Sequence, residues 1–503
     1  MRGLTFFTVF FTGLLFLPTL VFSQFPPLDP SPGAYEYFRR INAENNGGRW
    51  RDIAEAALWA SSLNAGPGAE EKAAAMADRI AAAVTELAAM PDLPPQSRDR
   101  AEYVLTFLHR RFLKSYSEYQ TRVDEILVSG RYNCVSSAVL YMIFGTSLGL
   151  DMTGVVTKDH AFVTVNTGAD PVDVETTNPY GFDPGNRREF HDNFGKATGF
   201  VYVPARNYRD RAVINVPEMV SLILSNRISI LERGNRYAEA VPLAINRAVL
   251  LRGTVDSPAG EADQIRAQFF EDPRRDIMNR LLNFGSHLIK TGKEDDALAW
   301  ALYASPRFPS QEQWPDMIYA AANNKLVKLI RAGKIADARN TLDSLGPVKE
   351  KLGPGQNQSL EVVVLEAEAA VKINGIKNPG EAAAALAFLS RVWEQLPEQR
   401  REEMRTTAVL KEAERIGRSG DWAGGMGWLT DAIGKYGSNG RFESALRTFR
   451  QNRVGELHNR FAALFNKGDY GGAREFIQGA LSEFPGENRL LRDLALAEQA
   501  LAQ

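Results

Sequence analysis

The amino-acid sequence predicts an α+β core flanked by an N-terminal helical segment and a C-terminal all-α superhelix. Three observations carry that prediction. A strongly apolar stretch, VSSAVLYMIFGTSL over 135–148, is followed by short β-like runs, and one helix followed by antiparallel strands makes an α+β core. Alanine-rich patterns of helical period precede it at about 50–62 and 69–90. From about residue 213 to the end, a glycine–alanine phrase recurs in helical surroundings.

The length of 503 residues allows three or so domains with sizeable cores. Lys and Arg total 59 against 61 Asp and Glu, a formal charge of -2, which leaves no basic footprint for nucleic acid. The single cysteine excludes an intrachain disulfide and any cysteine-rich zinc or iron–sulfur site. The five histidines, His109, His160, His191, His287 and His458, form no His-x-x-x-His pair, and no Asp-x-Asp-x-Asp-Gly loop occurs. Neither a metal nor a cofactor is expected.

The chain opens with MRGLTFFTVFFTGLLFLPTLVFS, one arginine before an apolar run, with Val21 and Ser23 in a small-residue cleavage pattern. This predicts a secretory signal peptide over 1–23, cleaved after Ser23, and a periplasmic or extracellular destination. No later stretch has the ~18 apolar residues of a membrane span, so the mature chain is expected to hold none. Residues 24–98 read as a Pro-rich linker (FPPLDPSPG, 25–33) and the alanine-rich helices, broken at Asn64–Gly68 and stopped by Pro91, Pro94 and Pro95. A further helix is expected from Ser97 to Tyr116. The core, 99–212, then takes the apolar helix and strands at Thr153–Val156, Ala161–Val165 and Val172–Thr176. Asn166–Asp170 is the hairpin loop between the last two, and Phe200–Val203 is a further strand candidate. Asn178-Pro-Tyr-Gly181 signals a turn whose Tyr180 and Phe182 either wall a cleft or cap the sheet. Arg187, Arg188 and His191 follow in a polar loop.

In 213–503 the phrase appears as Gly292…Ala297, Gly333…Ala338, Gly380…Ala385 and Gly468…Ala473. Gly420…Gly425 is a weaker copy, and Gly234…Ala240 fits with one residue inserted. The glycine suits the turn after the first helix of a pair, the alanine a close helix approach, and a following proline the end of the second helix. The pattern resembles tetratricopeptide helix-turn-helix repeats. Glycine spacings of 58, 41, 47, 40 and 48 exceed the standard ~34 residues, so the array is irregular. Such arrays present a concave surface for a protein partner.

Chemistry concentrates at Cys134, which opens the apolar helix after Gly-Arg-Tyr-Asn133. A helix start places positive dipole beside the sulfur, and Ser136 and Ser137 sit in the first turn to help satisfy its free N–H groups. His160 begins the next strand but one, and Asp173 and Glu175 lie two apart, on one face, across the hairpin. Either acid could orient the imidazole, giving a nucleophile–base–orienter set.

Asn133-Cys-Val-Ser-Ser-Ala, then His160-Ala-Phe-Val-Thr-Val, then Glu175-Thr-Thr177 resembles the transglutaminase-like (papain-like) cysteine-enzyme core over roughly 100–205. The resemblance implies Cys134 as nucleophile, His160 as general base and then acid, and Glu175 as orienter, with Asp173 as the fallback. Glu175 stands where the family has Asp. The Cys134 backbone N–H would form part of an oxyanion site; Tyr132, Asn133, Tyr116 and Gln120 are the nearby polar candidates for a second donor. The implied activity is thiol-dependent acyl transfer on peptide or protein amides, as peptidase, amidase or cross-linker. The competing expectations are a non-catalytic interaction protein built on the repeats with a degenerate core, and a structural envelope protein with a merely packed cysteine.

Overall fold

The computed structural model describes residues 25–42, 49–63, 68–168, 170–204, 206–207, 210–251, 269–270, 272–310 and 312–502. The expected leader, the turn at 64–67 and Ala169 of the hairpin loop lie outside the described residues. The described chain is mostly helical with one small four-stranded sheet. It divides into two compact units, Met1–Ile318 and Tyr319–Gln503.

The first unit begins with the Pro-rich linker, which is docked rather than loose. Phe25 sets its ring edge against Trp300 and stacks on Tyr303, and Ser31 N donates to Asn246 Oδ1 at 2.8 Å. Helices α1 (Pro32–Asn42), α2 (Trp50–Ser62), α3 (Ala69–Ala88) and α4 (Ser97–Arg111) follow. Helix α4 stops short of the expected Tyr116. The chain leaves the helix at Phe112 so that its ring can pack on Phe107 and Phe144, at 6.4 and 5.8 Å. The residues released form β1 (Ser115–Tyr116), parallel to β2 (Arg131–Tyr132), with α5 (Val123–Ser129) between them.

Helix α6 (Cys134–Ser147) is buried along nearly its whole length. A helix apolar on every side must be enclosed on every side. It packs on the sheet strands β3 (Asp151–Thr157) and β4 (Ala161–Asn166), and on α2, α4 and α5. Strand order is β5-β4-β3-β6, antiparallel throughout, with β5 at Val172–Val174 and β6 at Arg211–Ile214.

Two expectations are corrected here. The outer strand beside β3 is β6, not Phe200–Val203, which has no regular structure. That stretch is bound by its side chains instead: Phe200 lies against the His160 ring and Tyr202 donates to Asp173 Oδ2 at 2.7 Å. The polar loop expected around Arg187–His191 contains helix α7 (Arg188–Thr198). Phe190 and Phe194, one helical turn apart, are both buried and stack at 4.7 Å, which gives the helix an apolar stripe.

Helix α8 (Val216–Arg233) starts at a capping box: Asn215 Oδ1 accepts from Glu218 N while Glu218 Oε2 accepts from Asn215 N. It packs on α2 and α6, and α9 (Tyr237–Leu250) packs on it in turn.

The second unit is a succession of helices joined by short turns, from Ile335–Ser344 to Asn488–Leu501. Gly333, Gly380, Gly420 and Gly468 all have left-handed φ, from 74 to 90°. Ala338, Ala385 and Ala473 are fully buried against neighbouring helices. In the weaker copy Gly425 replaces the alanine because a Cβ there would meet Phe449 Cε1 at 2.2 Å. The inserted residue of the Gly234 copy, in the first unit, is explained too: Asn235, at φ 58°, takes the left-handed position. Among the described residues no helix is long and apolar enough to cross a membrane.

Candidate functional site

The Asn133 side chain caps α6. Its Oδ1 accepts from Ser136 N and Ser136 Oγ accepts from Asn133 N, both at 3.0 Å, so the cap fixes where Cys134 sits. Cys134 is the first helical residue, and the first N–H groups of a helix have no carbonyl of their own turn to bond. The cysteine is 8% exposed and lines a cleft of about 250 Å³ together with His160, Tyr116, Tyr119, Asn226 and Arg233.

His160 follows the tight β3–β4 turn, where Thr157 N donates to its carbonyl at 2.9 Å. The ring is boxed by Phe200 and Phe194, with centroids 4.9 and 5.6 Å away. Its Nε2 lies 2.6 Å from Glu175 Oε2. Nδ1 is the nitrogen left over; it is buried and has no hydrogen-bond partner among the described residues. Burial pushes the imidazole toward its neutral form. The Glu175 carboxylate and the Cys134 sulfur outweigh it and hold the ring above its ordinary value.

Glu175 is anchored as firmly as the ring it holds. Its Oε1 accepts from Thr177 N at 3.1 Å and Thr177 Oγ1 at 2.8 Å, which gives the acid-x-Thr spacing a physical reason. The turn behind it is tight: Glu175 N donates to Gly181 O at 2.7 Å, and a Cβ on Gly181 would lie 1.9 Å from Glu175 O. Asp173, the fallback, is placed elsewhere. It is buried in an ion pair with Arg211 at 2.8 Å and accepts from Tyr202 and Thr164. Two residues apart on one face did not mean one partner, because Arg211, the first residue of β6, captures Asp173.

The four polar candidates near the sulfur also separate. Tyr132 OH donates to Thr177 O, Asn133 Nδ2 to Glu118 O, and Gln120 Nε2 to the carbonyls of Arg122 and Arg131. Tyr116 OH is buried and has no partner among the described residues. Tyr180 is exposed and Phe182 is buried under Arg98, and neither lines the cleft.

Sequence reasoning gave His109 no role, and the structure places it directly behind the acid. His109 Nε2 bonds the carbonyl of Thr176 at 3.1 Å, while Thr176 Oγ1 meets Ser137 Oγ, one turn into α6, at 2.8 Å. Thr176 thus joins the helix of the cysteine to the loop of the glutamate. Burial drives the His109 imidazole down to about 4, opposed by the Thr176 and Leu113 backbone contacts; Lys114 lowers it further and Glu175 raises it. Its neutral form therefore stabilises the fold above about pH 6.5, and that contribution falls as pH drops toward about 4, by on the order of 3 kcal/mol. Denaturant midpoints compared at pH 7 and pH 4.5 check this; His109→Gln, which keeps a donor for Thr176 but does not titrate, is expected to show a smaller loss.

Among the described residues no group of three or more His, Cys, Asp or Glu side chains is arranged to hold a metal ion. No protein-family model matches the chain, and no curated protein matches it significantly.

Proposed function

We propose that the protein is an exported thiol-dependent acyl-transfer enzyme with a transglutaminase-like core, acting on peptide or protein amides. The observation that carries the proposal is the 2.6 Å His160–Glu175 contact beside a cysteine at a capped helix start, in a cleft open to substrate. In the proposed reaction the Cys134 thiolate attacks the amide carbon, and the C=O π pair moves onto oxygen. The first N–H groups of α6 meet the developing oxyanion. The C–N bond then breaks, its pair leaving with nitrogen, which takes a proton from the His160 imidazolium. A thioester remains. Neutral His160 next removes a proton from water or an amine, whose oxygen or nitrogen displaces the thiolate. Glu175 holds the ring in line and balances its charge in both steps. Peptidase, amidase and cross-linker differ here only in the acceptor.

The second reading is a protein-interaction role for the tetratricopeptide-like helices. It draws on a cleft of about 320 Å³ in the second unit, where Arg405 stacks between Trp393 and Tyr436, 4.7 Å from each ring centroid. A thiol-directed peptide probe applied to the chain from Gln24 onward decides between the two. The enzyme is expected to take the probe on Cys134 in the folded state, with no labelling of Cys134→Ser and slowed labelling of Glu175→Gln. Labelling only after denaturation would end the enzymatic reading.

A further inference from the structure

We infer that Tyr116 is a catalytic residue of the thiol site, its phenol O–H being the second donor that holds the oxyanion formed when Cys134 attacks an acyl carbon. The inference rests on the acyl-transfer reading of Cys134 and adds a residue that the sequence did not single out from its neighbours. Four observations converge on it. Tyr116 lines the same cleft as Cys134 and His160. Its hydroxyl is buried without a hydrogen-bond partner among the described residues, and a buried hydroxyl left unbonded costs stability, a cost that a role in binding or catalysis would explain. The three competing polar side chains are spent on backbone carbonyls. The position is also held rigidly with respect to the sulfur. Tyr116 pairs in parallel register with Tyr132, whose strand runs through Asn133 into Cys134, and the two tyrosine rings meet edge to face at 6.1 Å.

The chemistry of the group agrees. Burial, and behind it the charge of the Cys134 sulfur, holds the phenol well above its ordinary value, so it remains a neutral donor at any working pH. A neutral O–H cannot replace His160 as the base. It can only donate to the oxygen that gains the carbonyl π pair, and it returns to its free state when the tetrahedral adduct collapses and C=O re-forms.

This separates two reactions of one sulfur. Alkylation by iodoacetamide displaces iodide at a saturated carbon and forms no oxyanion. Acetylation by p-nitrophenyl acetate passes through a tetrahedral oxyanion and expels p-nitrophenolate. Tyr116→Phe, which keeps the ring and its packing, is therefore expected to leave the alkylation rate of Cys134 within about twofold. It should slow acetyl-Cys134 formation about 10²-fold, the usual range for one lost oxyanion donor. Equal acetylation rates in wild type and Tyr116→Phe would overturn this inference alone. A wild-type chain that is never acetylated on Cys134 would overturn the acyl-transfer reading and this inference with it. A parallel fall in alkylation and acetylation would mark Tyr116 as packing for the thiol rather than a donor, and would also overturn it.

Discussion

Replacing His160 with alanine is expected to slow iodoacetamide labelling of Cys134 at pH 6.5 by about 10- to 100-fold. An ordinary thiol titrates near pH 8.5, so only about 1% of it is thiolate at pH 6.5. In the folded protein the sulfur faces a ring that Glu175 and the sulfur itself hold protonated against the pull of burial. The positive ring facing the sulfur assists its attack on the alkylating agent, and His160→Ala removes that charge. The labelling rate at pH 6.5 is the measurement, read on folded protein and paired with a denaturation curve. Equal labelling rates in wild type and His160→Ala would remove the imidazolium from the picture.

Glu175→Ala is expected to destabilise the fold by about 3–5 kcal/mol, the range for breaking one side of a buried ion pair. Both side chains are withdrawn from water, with 1% and 0% of their surface exposed, so no solvent can take over the charge of His160. The Thr177 hydroxyl and N–H lose their acceptor in the same change. Glu175→Gln separates the structural from the chemical part. Its amide oxygen can still accept from Thr177 while its nitrogen replaces the charged partner of His160. This variant should fold with a loss nearer 1–2 kcal/mol, yet slow acyl-enzyme formation by about 10²-fold or more. Chemical denaturation midpoints and acetylation rates on both variants check the pair. Equal stability in Glu175→Ala and wild type would mean that the two groups are not coupled as the 2.6 Å contact indicates.

Much of the site was legible because its parts are local. The apolar run behind Cys134, the serines of its first turn and the short β-like run after His160 are all written in spans of fewer than 15 residues, where local pattern acts directly; the cap at Asn133 came from the structure. The acid was narrowed only to two positions, since a shared strand face says which side chains are parallel and not what each will meet. Helix α7 was missed because its surroundings are polar; Phe190 and Phe194 at i and i+4 were the available signal. His109 could not be found at all, since its partner carbonyl is 67 residues away in sequence.

The sequence by itself determined the elements that short-range physics controls: the cysteine helix, the hairpin carrying histidine and acid, and the left-handed glycine turns of the helical pairs. Only the tertiary structure decided the choices between equivalents. Arg211 drew Asp173 away and left Glu175 to the imidazole, and backbone carbonyls consumed three of the four polar groups, while the Tyr116 hydroxyl has no partner among the described residues. Those choices depend on which distant charges and carbonyls arrive at the same place. A buried polar group binds whatever the fold brings within about 3 Å, and nothing in its own stretch of chain specifies that partner.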